Sequence, residues 1–200
     1  MVSCPFGKKR WIFFLIVALV IGVSVYLLWP QPEEIRVNAA NTQNLEESKE
    51  TPLPNIGVFS GNKAMDFTLE DADGNVVSLS DFYGRPIVLN FWATWCSPCK
   101  AEMPYMEKIW REYQEKGSDL VYLLVNVGES VETVQGFYEK NFFTMPVVYD
   151  KNSRIFTRYL FRGIPGTLFI DREGVIKARY NEMLPEATFR TQIARITGES

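Results

Sequence analysis

The longest uncharged apolar run in the chain is WIFFLIVALVIGVSVYLLW, residues 11–29. As a helix it would measure roughly 28 Å, about the hydrocarbon thickness of a bilayer. Lys8, Lys9 and Arg10 precede it and Glu33 and Glu34 follow, a bias that predicts a single span with residues 1–10 in the cytoplasm and everything after Trp29 outside. No small-x-small cleavage site follows closely, so a retained signal-anchor is expected rather than a removed leader. From Pro30 the pattern turns polar, acidic and proline-punctuated. Residues 30–60 are expected to form a flexible tether, with a root-mean-square reach of roughly 25 to 30 Å.

Regular periodicity begins at about Gly61, and residues 61–200 are predicted to form one domain. Two short alternating stretches flank Asp73-Gly74-Asn75, the signature of a hairpin. RPIVLNFWA is almost wholly apolar and β-rich, as expected for a strand buried on both faces. Next, AEMPYMEKIWREYQEK carries apolar residues at helical spacing and stops at Gly117. Further on, DLVYLLVNV, MPVVYD, GTLFID and VIKARY read as strands. SVETVQGFYEKN, SRIFTRYL and PEATFRTQIARI read as helices. Strands alternating with helices, with a hairpin-like pair near the end, predict an α/β fold with a central mixed sheet flanked by helices.

Composition changes this picture by exclusion. The formal charge is only −3 over 200 residues, and the few basic clusters sit in one place, the extreme N-terminus, so nucleic-acid binding is not expected. The chain has no histidine and three cysteines. That removes haem attachment through CxxCH, a Cys-His catalytic pair and any ordinary zinc site, so no metal or cofactor is expected. Cys4 precedes the apolar run and is read as an incidental thiol.

The remaining two cysteines carry the chemistry. Cys96 and Cys99 stand two residues apart in FWATWCSPCKAEMP. A purely structural disulfide there would close a loop of a few residues, where least unfolded-state entropy is removed. Redox exchange suits the placement better. Cys96 lies where a buried strand ends and a helix begins, so free backbone N–H groups and the helix dipole can stabilise its thiolate. Cys99, one turn further in, is expected to be the more buried thiol that resolves a mixed disulfide. Pro98 suits a first helical turn.

WCSPCK, followed by Pro104 and, some sixty residues later, by RGIPGT, resembles the thioredoxin superfamily over roughly residues 61–200. LNFWATWCSPCKAEMP behind an N-terminal anchor is similar to the membrane-tethered TlpA/ResA group of extracytoplasmic thiol-disulfide oxidoreductases. The resemblance implies a thioredoxin-like fold with an N-terminal hairpin extension. It also implies a reductase of disulfides in exported proteins, such as the haem-binding cysteines of apocytochrome c, fed by a membrane electron carrier of the CcdA/DsbD kind. By the same resemblance Pro165 is the cis-proline facing the active-site pair, and Ile164 offers its backbone to an extended substrate strand. Glu102 matches the acidic residue three positions after the second cysteine. At that spacing it shares a helix face with Cys99 and could accept or return its proton, the alternative being simple complementation of the helix dipole. Asn90 stands where thioredoxin has a buried aspartate. Trp92 is expected in the core and Trp95 partly over the disulfide, in a substrate groove.

Ser97 departs from the Glu that ResA proteins carry between the cysteines, which loosens the link to cytochrome c more than the link to redox chemistry. Other readings stay open at this point. Peroxidase chemistry on this architecture uses a PxxxTxxC pattern, but Leu89 and Ala93 occupy its Pro and Thr positions. An oxidase or isomerase would use the same cysteines in the opposite direction, depending on their potential. A tethered binding module with incidental cysteines would not need Cys99 at all.

Overall fold

The computed structural model describes residues 55–199. The expected anchor at 11–29, its orientation and Cys4 lie outside those residues, as do residues 30–54 of the expected tether. Among the described residues no helix is long and apolar enough to cross a membrane.

The predicted strands form as β3 (Thr68–Glu70), β4 (Val76–Ser78), β5 (Ile87–Trp92), β6 (Val121–Val127), β7 (Val147–Asp150), β8 (Gly166–Ile170) and β9 (Ile176–Tyr180). They make one seven-stranded sheet in the order β4-β3-β7-β6-β5-β8-β9. β5, β6 and β7 run parallel, while β8 and β9 are antiparallel, as is the β3–β4 hairpin. The sheet is therefore mixed, as the alternation of apolar runs with helical segments implied.

Each residue of β5 is buried, because the strand lies at the centre of the sheet and alternates between two cores. Val88 and Trp92 join Met103, Met106, Ile109, Tyr122 and Phe189 on one face; Ile87, Leu89 and Phe91 join Leu79, Val125, Tyr159 and Leu168 on the other. Each fully buried large aliphatic or aromatic side chain contributes about 1.5 to 3 kcal/mol. The helices are α1 (Ser97–Glu115), α2 (Val131–Asn141), α3 (Arg154–Arg158) and α4 (Glu186–Thr197), with a 3-10 turn at Leu79–Phe82. Gly117, at φ 66°, follows the end of α1 in the left-handed conformation that the predicted stop required.

Three details differ from expectation. α1 starts at Ser97, ahead of the apolar spacing, since Cys96 and Pro98 supply its cap and first turn. α3 is shorter than SRIFTRYL suggested, because Leu160 turns into the left-handed region at φ 54°. The fold also begins before Gly61. β1 (Ile56–Gly57) pairs in parallel with β2 (Lys63–Ala64), and Val58 is buried. Arg179 Nη1 donates to the Val58 carbonyl at 3.0 Å, with its guanidinium 3.7 Å from the Phe161 ring centroid. Residues 56–58, placed in the tether by composition, are thus part of the domain; two-residue strands leave no periodic trace.

Candidate active site

The C-terminal end of β5 delivers the chain to the cysteines through a four-residue connection, 93–96. Cys96 N–H donates to the Ala93 carbonyl at 3.2 Å, closing a turn that points Cys96 into the start of α1. Cys96 is the N-cap of that helix, and its Sγ accepts from the Cys99 amide at 3.2 Å. In the reduced protein the same amide and helix terminus would face a thiolate, and a hydrogen bond to a charged acceptor is roughly twice as strong as a neutral one. Pro98 falls in the first turn, where no intrahelical N–H is missed.

Cys96 and Cys99 are bonded to each other, with S–S at 2.05 Å and Cα–Cα at 5.3 Å. Cys96 is 4% exposed and Cys99 fully buried, the order expected of an attacking and a resolving thiol. On the far side of the pair, the Ile164 carbonyl oxygen lies 3.6 Å from Cys96 Sγ. This is a contact and not a hydrogen bond, because the sulfur of a disulfide carries no proton. The Ile164–Pro165 peptide is cis. The segment leading into β8, which pairs directly with β5, thus meets the cysteines through the Ile164 carbonyl. Gly166 is required by packing: a Cβ there would sit 2.5 Å from Cδ1 of Phe161.

Glu102 lies on the buried face of α1, only 1% exposed. It is beyond the first turn, which contains no acidic residue, so complementation of the dipole does not account for it. Asn90, from the centre of β5, donates from Nδ2 to Glu102 Oε1 and to Thr167 Oγ1, each at 2.9 Å. Glu102 Oε2 accepts no well-formed hydrogen bond among the described residues. Burial pushes the carboxyl up to about 7; the Asn90 bond and the nearby Leu184 N–H lower it by less. A buried acid poised near neutrality, on the same helix face as Cys99, is chemically suited to exchange a proton with it. The position of thioredoxin's aspartate is thus filled by an amide that serves the carboxylate instead of replacing it.

The tryptophans divide. Trp92 is fully buried, and Trp95 stands 67% exposed immediately before Cys96, open to a partner instead of folded over the disulfide. One polar residue beside the site had no sequence signal beyond being an acid before a helix. Glu129 bonds both the amide and the hydroxyl of Thr94, and takes a third bond from Asn126.

Residues 60–179 match the AhpC/TSA family. The chain is 40% identical over 120 residues to the thiol-disulfide oxidoreductase ResA of Geobacillus thermodenitrificans, covering 60% of this chain and 68% of that protein. It is 38% identical over 119 residues to ResA of Bacillus subtilis, covering 60% and 65% respectively. Among solved structures, a candidate thiol:disulfide interchange protein DsbE from Chlorobium tepidum superposes with a TM-score of 0.65 at 29% identity, over 71% of this chain and 100% of that one. With the bonded CxxC pair at the head of α1 and these relatives, the chain belongs to the AhpC/TSA family and is a thiol-disulfide oxidoreductase of the ResA/DsbE type.

Proposed function

We propose that the protein is a membrane-tethered reductase whose domain lies outside the cytoplasm, that it reduces disulfides in exported proteins, apocytochrome c among them, and that a carrier of the CcdA/DsbD kind returns electrons to it. The observation that carries the redox cycle is the bonded Cys96–Cys99 pair at the head of α1, with the buried Glu102 carboxyl on the helix face it shares with Cys99. The topology rests on the charge bias around residues 11–29, and the client class on the likeness to ResA.

In the reduced protein the Cys96 thiolate, stabilised by the Cys99 amide and the start of α1, attacks one sulfur of a client disulfide. The client strand lies along the backbone at Ile164 and Pro165, with Trp95 at the rim. A Cys96–client disulfide forms and one client thiolate leaves, taking a proton from solvent. Cys99 then gives its proton to the Glu102 carboxylate and attacks Cys96 Sγ. The Cys96–Cys99 disulfide forms, the second client thiolate leaves, and two electrons have passed to the client. Re-reduction by the donor reverses these steps, and Glu102 returns the proton to Cys99.

The peroxidase alternative gains nothing from the structure. Ala93 and Leu89 are fully buried aliphatic residues and offer no hydroxyl to a peroxide. The direction of exchange is tested by equilibrating the full chain against thiol buffers and measuring the reduction potential. A value near thioredoxin's about −270 mV fits a reductase, and one near the about −120 mV of DsbA would make the protein a disulfide donor.

A further inference from the structure

The connection between β5 and α1 carries the attacking sulfur, yet its backbone is held by a residue from a different part of the chain. Glu129 follows β6. Gly128, at φ 77°, turns the chain in a conformation that L side chains rarely adopt, with its amide anchored to the Asp150 carbonyl at 3.1 Å. The turn lets the Glu129 side chain reach back across the end of the sheet. Its Oε2 accepts from Thr94 N–H at 2.7 Å and from Asn126 Nδ2 at 2.8 Å, while Oε1 accepts the Thr94 hydroxyl at 2.5 Å. Asn126 is fully buried on β6, opposite Trp92 in the sheet register, so the clamp is fixed to the core and not to a surface loop.

We propose that Glu129 is a positioning residue for thiol-disulfide exchange: by gripping both polar groups of Thr94 it fixes the 93–96 connection and so aims Cys96 Sγ between the Cys99 amide and the Ile164 carbonyl. Glu129 touches neither cysteine by any recorded bond and acts through Thr94. Between Thr94 and the sulfur stand only the exposed Trp95 and the turn bond from Cys96 N–H to Ala93. Without the clamp, that short segment keeps the side-chain bonds of Cys96 itself and loses both hydrogen bonds that hold Thr94. Displacing a reacting atom by about 1 Å can cost up to about 100-fold in rate.

The role is one of hydrogen bonding and not of charge, which makes a sharp prediction for the amide. In Glu129→Gln the carbonyl oxygen can still accept from Thr94 N–H and Asn126 Nδ2, and the new NH2 can donate to a Thr94 hydroxyl turned round to accept. Glu129→Ala loses all of these bonds. Thr94→Val loses only the hydroxyl bond.

The inference rests on exchange at Cys96, so the experiment includes Cys96→Ala. The full chain and its variants are reduced, and two quantities are measured per folded molecule: the rate of reaction with oxidised glutathione, and the pH profile of Cys96 alkylation by iodoacetamide. Glu129→Ala is expected to react about tenfold more slowly, with a shifted alkylation midpoint, and Glu129→Gln to stay within about twofold of the parent. Thr94→Val should fall between them and decides the question if Glu129→Ala does not fold. A purely structural Glu129 would lower the melting temperature and leave both per-molecule readouts unchanged, which overturns the proposal. It is equally overturned if Glu129→Gln is as slow as Glu129→Ala, or if Thr94→Val matches the parent. Persistence of exchange in Cys96→Ala would instead overturn the exchange mechanism itself.

Discussion

Asn90 Nδ2 donates to Glu102 Oε1 at 2.9 Å from the middle of the central strand, and no other well-formed hydrogen bond reaches that carboxyl among the described residues. A side chain at the floor of the sheet therefore tunes the acid that stands on the helix above it. Burial pushes the carboxyl up to about 7, and the Asn90 amide is the larger of the two groups that oppose that rise, Leu184 N–H being the other. Asn90→Ala removes the donor. The alkaline rise in exchange rate that reports Glu102 should then move up by about one pH unit, measured from the pH profile of exchange under single-turnover conditions. An unmoved profile would mean that Glu102 does not set it.

The same carboxyl makes stability depend on pH. Its folded-state pKa, about 7, lies above the 4.5 of an ordinary glutamate. Between those values the folded protein keeps a proton that the unfolded chain has released, so stability is greatest below about pH 4.5 as far as this group is concerned, and falls as pH rises through 7. The full loss would be at most about 3 kcal/mol. Glu102→Gln cannot ionise, and its unfolding free energy from urea titration should vary less between pH 5 and 8, by about 2 to 3 kcal/mol. Equal slopes in the two proteins would show that Glu102 is not held neutral by burial.

The two cysteines should differ as trapping variants. Cys99→Ala leaves Cys96 able to attack and unable to be released, so clients should accumulate as mixed disulfides. Cys96→Ala leaves, of the pair, only the fully buried thiol, and should trap few. Non-reducing electrophoresis of proteins bound to each variant distinguishes them. Identical patterns would sink the two-step cycle.

Much of this architecture is legible along the chain because central strands must be apolar on both faces. Runs such as IVLNFW and VYLLVNV have no competing reading once they are short and bounded by turns. The cysteine pair was equally plain, since its spacing and the absence of histidine left few chemistries. What the sequence did not disclose depends on approach across long separations. Glu129 is written as an acid ahead of Ser130 at the start of a helix, a common dipole complement, and only the turn at Gly128 sends it back to Thr94. Likewise the burial of Glu102 follows from β5 packing beneath α1. Helical spacing placed it beside Cys99 but could not tell a solvated face from a buried one. Residues 56–58 escaped notice because strands of two residues have no period to detect.

Gly166 offers a test of the loop opposite the cysteines. Adding a methyl group would place it 2.5 Å from Cδ1 of Phe161, and that ring has little room to retreat. It packs against Phe91 with centroids 5.1 Å apart, stacks on Phe156 at 6.2 Å, and is covered by the Arg179 guanidinium at 3.7 Å. The backbone at 163–166 must therefore give way, the same stretch whose Ile164 carbonyl contacts Cys96 Sγ. Gly166→Ala should cost about 1 to 3 kcal/mol, as overpacking of a filled core does. It should also slow exchange with an unfolded protein disulfide several-fold more than exchange with glutathione, because only an extended client uses the displaced backbone. Urea unfolding gives the first quantity and parallel kinetics with the two substrates the second. If both substrates slow equally, the loop shapes the cysteines and does not bind the client strand.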